Sequence, residues 1–150
     1  MPILSKAEVC RLIPHDGIMC LLDQVEQWDE TSITCKTASH SNAMNPLRRD
    51  NQLEAICGLE YAAQAMAAHV GLQEESTMKP KLYIGYLGAV RNLTLRVSRL
   101  DNVNESLTIH ATQLVRQMSS FIYTFRISAD GQELLDGRAS IFLKHLDPQS

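Results

Sequence analysis

Several absences narrow the field before any residue is assigned a role. No two of the four cysteines, Cys10, Cys20, Cys35 and Cys57, form a CxxC pair, and none stands at zinc-finger spacing from a histidine. Free thiols in a reducing compartment are the plain expectation. There is no basic excess: the net charge is -3, which argues against a nucleic-acid partner. No apolar run is long enough to span a bilayer, and the opening MPILSKAEVC is too short and polar for a secretory signal. A cytoplasmic protein without a membrane partner is the expectation. No repeat, low-complexity tract or linker divides the chain, so residues 1–150 are expected to form one domain with its own core. GxSxG, Walker and Rossmann glycine patterns are missing as well, which sets aside serine-elbow, nucleotide and dinucleotide chemistry.

What is present reads as two strands, a long helix and about four more strands. Ser5 with Glu8 three residues on predicts the start of a short helix over residues 4–12. Pro14, Asp16 and Gly17 predict a turn. LLDQVEQWD and TSITCKTAS predict paired strands turning near Asp29 and Glu30. HSNAMNPLRRDN, residues 40–51, has the composition of a loop. From Gln52 to Val70 there is no proline, one internal glycine and abundant Ala, Leu and Met, with Gly71 as the expected stop. Apolar residues surround that helix on many sides, so it should be enclosed by protein. After Pro80 the segments 81–97, 105–117, 119–128 and 133–145 are rich in β-branched and aromatic residues, with a hairpin turn at Ala129, Asp130 and Gly131. An antiparallel sheet wrapped around one central helix is the economical packing, an α+β fold.

Within the Ala-rich stretch GLEYAAQAMAAHVG, Glu60 is the residue that asks for an explanation. A carboxylate is costly to bury without a partner. Gln64 follows four positions later on the same face, Cys57 precedes by one turn, and Ala63 and Ala67 leave room beside them. Either Glu60 pairs with a surface cation or the protein needs a carboxyl in a dry place. Among the histidines, His40 has the best reach to the first half of the helix, within one chain or across a dimer, though it also reads as a solvated loop residue. His15 reads as a turn anchor, His69 lies about 13 Å from Glu60 at helical rise, His110 sits in a strand and His145 in the tail. A histidine meeting a glutamate suggests proton transfer, and backbone N–H groups at the helix start offer an oxyanion site.

LIPHDGIMCLLDQV, residues 12–25, resembles the LPHRxPxLLxDxV opening of the 3-hydroxyacyl-acyl carrier protein dehydratases. GLEYAAQAMAAH, residues 58–69, is similar to their central-helix motif, in which a glutamate is followed by AxAQ. NPLRRDN, residues 45–51, and GYLGAVRNLTLRVSRLD, residues 85–101, look closest to a divergent branch of predicted dehydratases. The resemblance implies the hotdog fold, usually dimeric, and elimination of water from a 3-hydroxyacyl thioester carried on acyl carrier protein through phosphopantetheine. It implies neither cofactor nor metal. Glu60 takes the acidic role by motif match, Gln64 and Cys57 beside it are expected to contact the substrate, and the Gly58 amide or a neighbour would hold the thioester oxygen. The family's histidine belongs to a GHFPG-like loop about fourteen residues before the glutamate. Here that position is Pro46, so the base role passes to His40, twenty residues before Glu60. Arg48 and Arg49 could meet an acidic carrier, or simply face solvent. A hotdog thioesterase, and a silent subunit paired with an active hotdog homologue, are the alternative readings.

Overall fold

In a computed structural model of the chain, residues 3–13, 19–75 and 83–145 are described. Two helices and six strands follow in the order α1 (Lys6–Leu12), β1 (Gln24–Trp28), β2 (Ser32–Thr37), α2 (Gly58–Glu75), β3 (Tyr83–Leu95), β4 (Leu107–Arg116), β5 (Ser120–Ala129) and β6 (Gln132–His145). The strands form one antiparallel sheet in the order β1-β2-β4-β5-β6-β3. Irregular register in four of its five pairings, as between Leu87 and Val90 of β3, adds twist and lets the sheet curl. Enclosed by it, α2 buries Tyr61, Ala62, Ala65, Met66 and Val70 against Ile33, Ile109, Ile127 and Leu135 in one continuous core. This is the hotdog arrangement expected from the sequence. Among the described residues no helix is long and apolar enough to cross a membrane.

The capping box at α1 forms as its sequence predicts. The Ser5 N–H donates to Glu8 Oε1 at 3.0 Å and the Glu8 N–H donates to Ser5 Oγ at 3.3 Å. Asp29 nucleates the β1–β2 turn by accepting the Thr31 and Ser32 N–H groups. Asp130 and Gly131, at φ 50 and 78, supply the left-handed residues of the β5–β6 hairpin. The turn expected at Pro14, Asp16 and Gly17, with His15, and the loop at Pro80 lie outside the described residues.

Three expectations are corrected. Gly71 does not end the helix, which continues to Glu75. A Cβ on Gly71 would stand 3.2 Å from Leu12 Cδ2, so this glycine serves the crossing of α1 over α2. Residues 52–57 are not α-helical; a 3₁₀ turn, Ala55–Cys57, leads into α2. Finally, Cys10 and Cys20 are joined in a disulfide, leaving Cys35 and Cys57 free. Nothing in the separation of ten residues marks the pair, which meets only because α1 packs back on the segment before β1. Burial pushes the Cys35 thiol up to about 12, so it is an inert core residue.

Enclosing a helix on every side obliges each of its polar groups to find a partner. His69 is fully buried. Its Nε2 lies 2.8 Å from the Asp29 carbonyl, which only accepts, so that nitrogen carries the proton. Nδ1 then accepts from the Tyr123 hydroxyl at 2.7 Å, and that hydroxyl accepts from Gln113 Nε2 at 2.9 Å. Gln73 closes the chain by donating to Gln113 Oε1 at 3.1 Å and accepting from Arg116. This network requires a neutral imidazole. Burial, reinforced by Arg116, holds His69 below its ordinary value of 6.5, against weaker opposing effects of Asp29 and Glu30.

The unfolded chain therefore binds a proton at His69 at a higher pH than the folded chain does. Its contribution to stability is complete above the ordinary value and is lost as pH falls from there toward the depressed folded value. His40 and His110 are shifted the same way by burial. Urea midpoints measured from pH 8 to pH 5 should fall on the acid side. His69→Gln should lower stability at pH 8 by about 1–3 kcal/mol and flatten that acid slope. A slope unchanged in the variant would exclude His69 as a source of it.

Candidate active site

Glu60, Ala63, Gln64 and Ala67 form one stripe of α2 that faces a cavity of about 290 Å3. The two alanines supply the room, because a larger side chain at either would fill the space. The facing wall comes from Ile13 and Met19 before β1, Leu47 in the loop before α2, and Tyr86, Leu87 and Ile141 on β3 and β6. The cavity is apolar with two polar groups at its helix side, a composition suited to an acyl chain with one reacting end.

Gln64 is 2% exposed, and both of its N–H donors are used. Oε1 accepts the Leu21 N–H at 2.8 Å, while Nε2 donates to the Met19 carbonyl at 2.7 Å. The side-chain amide thus pairs with the backbone of residues 19–21 as a neighbouring strand would. That pairing fixes which end of the amide is nitrogen. Its second N–H then points to Glu60 Oε1 at 3.2 Å. The carboxyl is held by a group that is itself held at both ends. Gln64 is accordingly a positioning group with no spare donor for a ligand, a narrower role than the substrate contact expected for it.

The other expected site residues are placed differently. The Gly58 N–H donates to the Ala55 and Ile56 carbonyls, so it is not an open oxyanion donor. Gly58 is small for a packing reason: a Cβ there would stand 2.8 Å from Leu135 Cδ1 and 3.2 Å from Ile127 Cδ1. Cys57 is half-buried with its Sγ 3.9 Å from the Leu47 carbonyl, and burial raises its thiol. Leu47, not Cys57, reaches the cavity wall.

His40 is fully buried in a 3₁₀ turn, Ser39–Ser41, and is not among the residues lining the Glu60 cavity. Its Nε2 donates to the Val103 carbonyl at 3.1 Å, and its own carbonyl accepts from Arg48 Nη2 at 3.0 Å. It clips the loop before α2 to the loop after β3. Arg48 is thereby tied inward, with Nη1 3.4 Å from the Asn51 carbonyl, whereas Arg49 is exposed. Of the pair, Arg49 is the exposed one and Arg48 is half-buried.

Sequence reasoning missed Met19 and Leu21, whose backbone groups anchor Gln64. It missed Lys6 too, whose Nζ donates to the Cys20 and Leu22 carbonyls at 3.3 and 3.1 Å and steadies the same segment. Backbone partners leave no trace in side-chain motifs. Among the described residues no group of three or more His, Cys, Asp and Glu side chains is placed to hold a metal ion.

A helix wrapped by a curled antiparallel sheet, with a carboxyl on the helix facing a pocket, defines a hotdog-fold protein. Within that class the chain belongs to the ApeP-like family, described as ApeP dehydratase, whose model matches residues 7–150. The chain is similar to a chain of the dehydratase heterocomplex ApeI:P from Xenorhabdus doucetiae. The TM-score is 0.81, with 94% of this chain and 92% of that one covered at 21% identity. It is also similar to a mutant thioesterase from Pseudomonas aeruginosa, with a TM-score of 0.55 over 82% and 81% of the two chains at 16% identity. A hypothetical thioesterase with coenzyme A from Streptococcus pneumoniae gives 0.54 over 81% and 84% at 11% identity. At these identities the structural likeness shows the fold. No curated protein matches.

Replacing Gln64 with Leu keeps the volume but strands the Leu21 N–H and the Met19 carbonyl. The expected cost is about 2–4 kcal/mol, from two buried groups left without partners, read as a lower urea midpoint. Gln64→Glu keeps the Leu21 contact but loses both donors and sets a second carboxylate beside Glu60. It should therefore destabilise the chain mainly at neutral pH, and recover toward pH 4. A destabilisation that is the same at both pH values would contradict the donor assignment.

Proposed function

We propose that this chain is a subunit of a dehydratase that removes water from a 3-hydroxyacyl thioester, presented by acyl carrier protein on its phosphopantetheine arm. The observation that carries the reading is the Glu60 carboxyl, oriented by Gln64 at the mouth of an apolar cavity, in a chain of a dehydratase family. Elimination needs a base for the proton beside the thioester carbonyl and an acid for the departing 3-hydroxyl. Glu60 is the acid in this reading. The cavity supplies dry surroundings in which the hydroxyl leaves as water only when a proton accompanies it.

The base is the part this chain does not complete among its described residues. His40 qualifies only if it leaves the Val103 carbonyl and the core, which would break the clip between two loops. A second hotdog subunit is the better source. The cavity wall contributed by β3 is exposed at Tyr86 and Leu87, and β3 is a sheet edge, so a partner docking there would bring its own residues to the site. The structural likeness to one chain of a heterocomplex supports pairing with a different hotdog chain as well as with a second copy. Arg49 is the exposed charge for an acidic carrier. Thioester hydrolysis is the second reading, favoured by the likeness to thioesterases.

A 3-hydroxyacyl-carrier-protein substrate separates these readings when products are followed by mass spectrometry. Loss of water is expected, either from the chain alone or with a hotdog partner, and release of free acid would favour the thioesterase. Glu60→Gln should slow dehydration by about 10²–10⁴-fold with little change in substrate affinity. His40→Asn should lower stability while sparing the rate per folded molecule. A Glu60→Gln variant as fast as the parent would overturn the acid assignment.

A further inference from the structure

We propose that Cys10 and Cys20 form a reversible thiol–disulfide exchange site whose redox state sets how firmly the Glu60 cavity wall is held. Cys20 lies between the two backbone groups that anchor Gln64, the Met19 carbonyl and the Leu21 N–H. Its disulfide is the covalent link to α1 from this three-residue segment, of which Met19 lines the cavity. At seven residues α1 is too short to persist without its attachments. Those attachments include Val9 in the core, Leu12 against Gly71 of α2, the Leu4–Val25 pairing, Lys6 and the disulfide. Both Lys6 and Cys10 act on the segment from this one helix. The mechanical chain therefore runs from α1 through Cys20 to Gln64, and from Gln64 to Glu60.

The two sulfurs differ in access. Cys10 is half-buried at the end of α1, whereas Cys20 is 3% exposed. A small dithiol reductant therefore attacks the Cys10 sulfur first, and Cys20 leaves and takes up a proton. The second thiol of the reagent then displaces Cys10, so that two electrons and two protons pass to the protein and the dithiol becomes a cyclic disulfide. The reduced state is accommodated as well. The Leu22 carbonyl lies 3.8 Å from Cys20 Sγ, ready to accept the new S–H. A bond with a satisfied product on either side, next to the group that positions the site carboxyl, is placed to act as a switch.

The test uses the full chain in three states: oxidised, reduced with dithiothreitol, and reduced then returned with oxidised glutathione. Iodoacetamide labelling and mass spectrometry count the free thiols, and amide hydrogen exchange is read at Leu21 with Ile127 of β5 as reference. Reduction should speed Leu21 exchange by about tenfold or more relative to Ile127, and reoxidation should reverse it. A Cys10→Ser/Cys20→Ser double variant should sit at the fast level and ignore dithiothreitol. Equal Leu21 exchange in the oxidised and reduced states would overturn the proposal. So would an equal rise at Ile127, which would make the bond a general staple, or a pair that stays alkylatable after oxidised glutathione. The expected accompanying fall in dehydration rests on the function proposed above. A chain that shows the exchange response but dehydrates in neither state, alone or with a hotdog partner, would leave the switch standing and overturn the dehydratase reading instead.

Discussion

The structure depends on the enclosure of α2. An 18-residue helix covered by a curled sheet on one side and by α1 and the preceding loops on the other leaves no solvent-facing stripe on which to leave a polar group unmatched. Each buried polar side chain of α2 has consequently acquired a specific partner. Tyr61 meets Ser39 Oγ at 3.0 Å and Asn45 Nδ2 at 2.9 Å, and Gln64 meets backbone. His69 and Gln73 join the network through Tyr123 and Gln113. In such surroundings a lost partner costs more than a formed bond contributes, so these contacts specify the register of helix on sheet as well as stabilising it.

The same constraint explains why the site sits at the first half of the helix. Toward its C-terminal end α2 is sealed by the His69–Tyr123–Gln113 network and by Arg116. Toward its N-terminal end Ala63 and Ala67 withdraw bulk from one face, and the exposed sheet edge at Tyr86 and Leu87 of β3 covers it only as the far wall of a cavity. A cavity forms where side chains are smallest and the cover is thinnest. Glu60 falls on that stripe one turn above Gln64, so its carboxyl is half-buried and yet anchored. Proton transfer needs both conditions, a fixed donor and a dry approach.

Much of this architecture was legible because it is locally encoded. The Ser5–Glu8 box, the Asp29 turn, the Asp130–Gly131 hairpin and the alternating strands each carry their instruction within a few residues. The Ala-rich run encodes an enclosed helix, and Glu60 with Gln64 marks the stripe of it that faces a cavity. What could not be read was set by distant packing. Gly71 looks like a helix stop, but Leu12 uses its missing side chain as a crossing point and the helix continues to bury Leu72 and Gln73. Gly58 looks like an amide donor, but its N–H closes the preceding turn and its missing side chain admits Leu135. His40 lies in the right loop for a base, and its ring nevertheless turns to the Val103 carbonyl. Cys10 and Cys20 pair only through the return of α1.

One consequence joins the sheet to the chemistry. β3 is a 13-residue edge strand, long for an edge, and its described part carries exposed Tyr86 and Leu87 with Phe142 exposed on the neighbouring β6. Edges of that length and character invite pairing, and proteins that stay alone shorten or charge them. Tyr86 and Leu87 are at the same time the outer wall of the Glu60 cavity. A partner that covered this edge would at the same time close the outer wall of the cavity. On the dehydratase reading proposed above, a carboxyl positioned by its own chain, beside a wall left open at a strand edge, is half of a composite site. On the same reading the partner's half brings the proton acceptor, because His40, the histidine of the loop before α2, is committed to the Val103 carbonyl and to holding that loop in place.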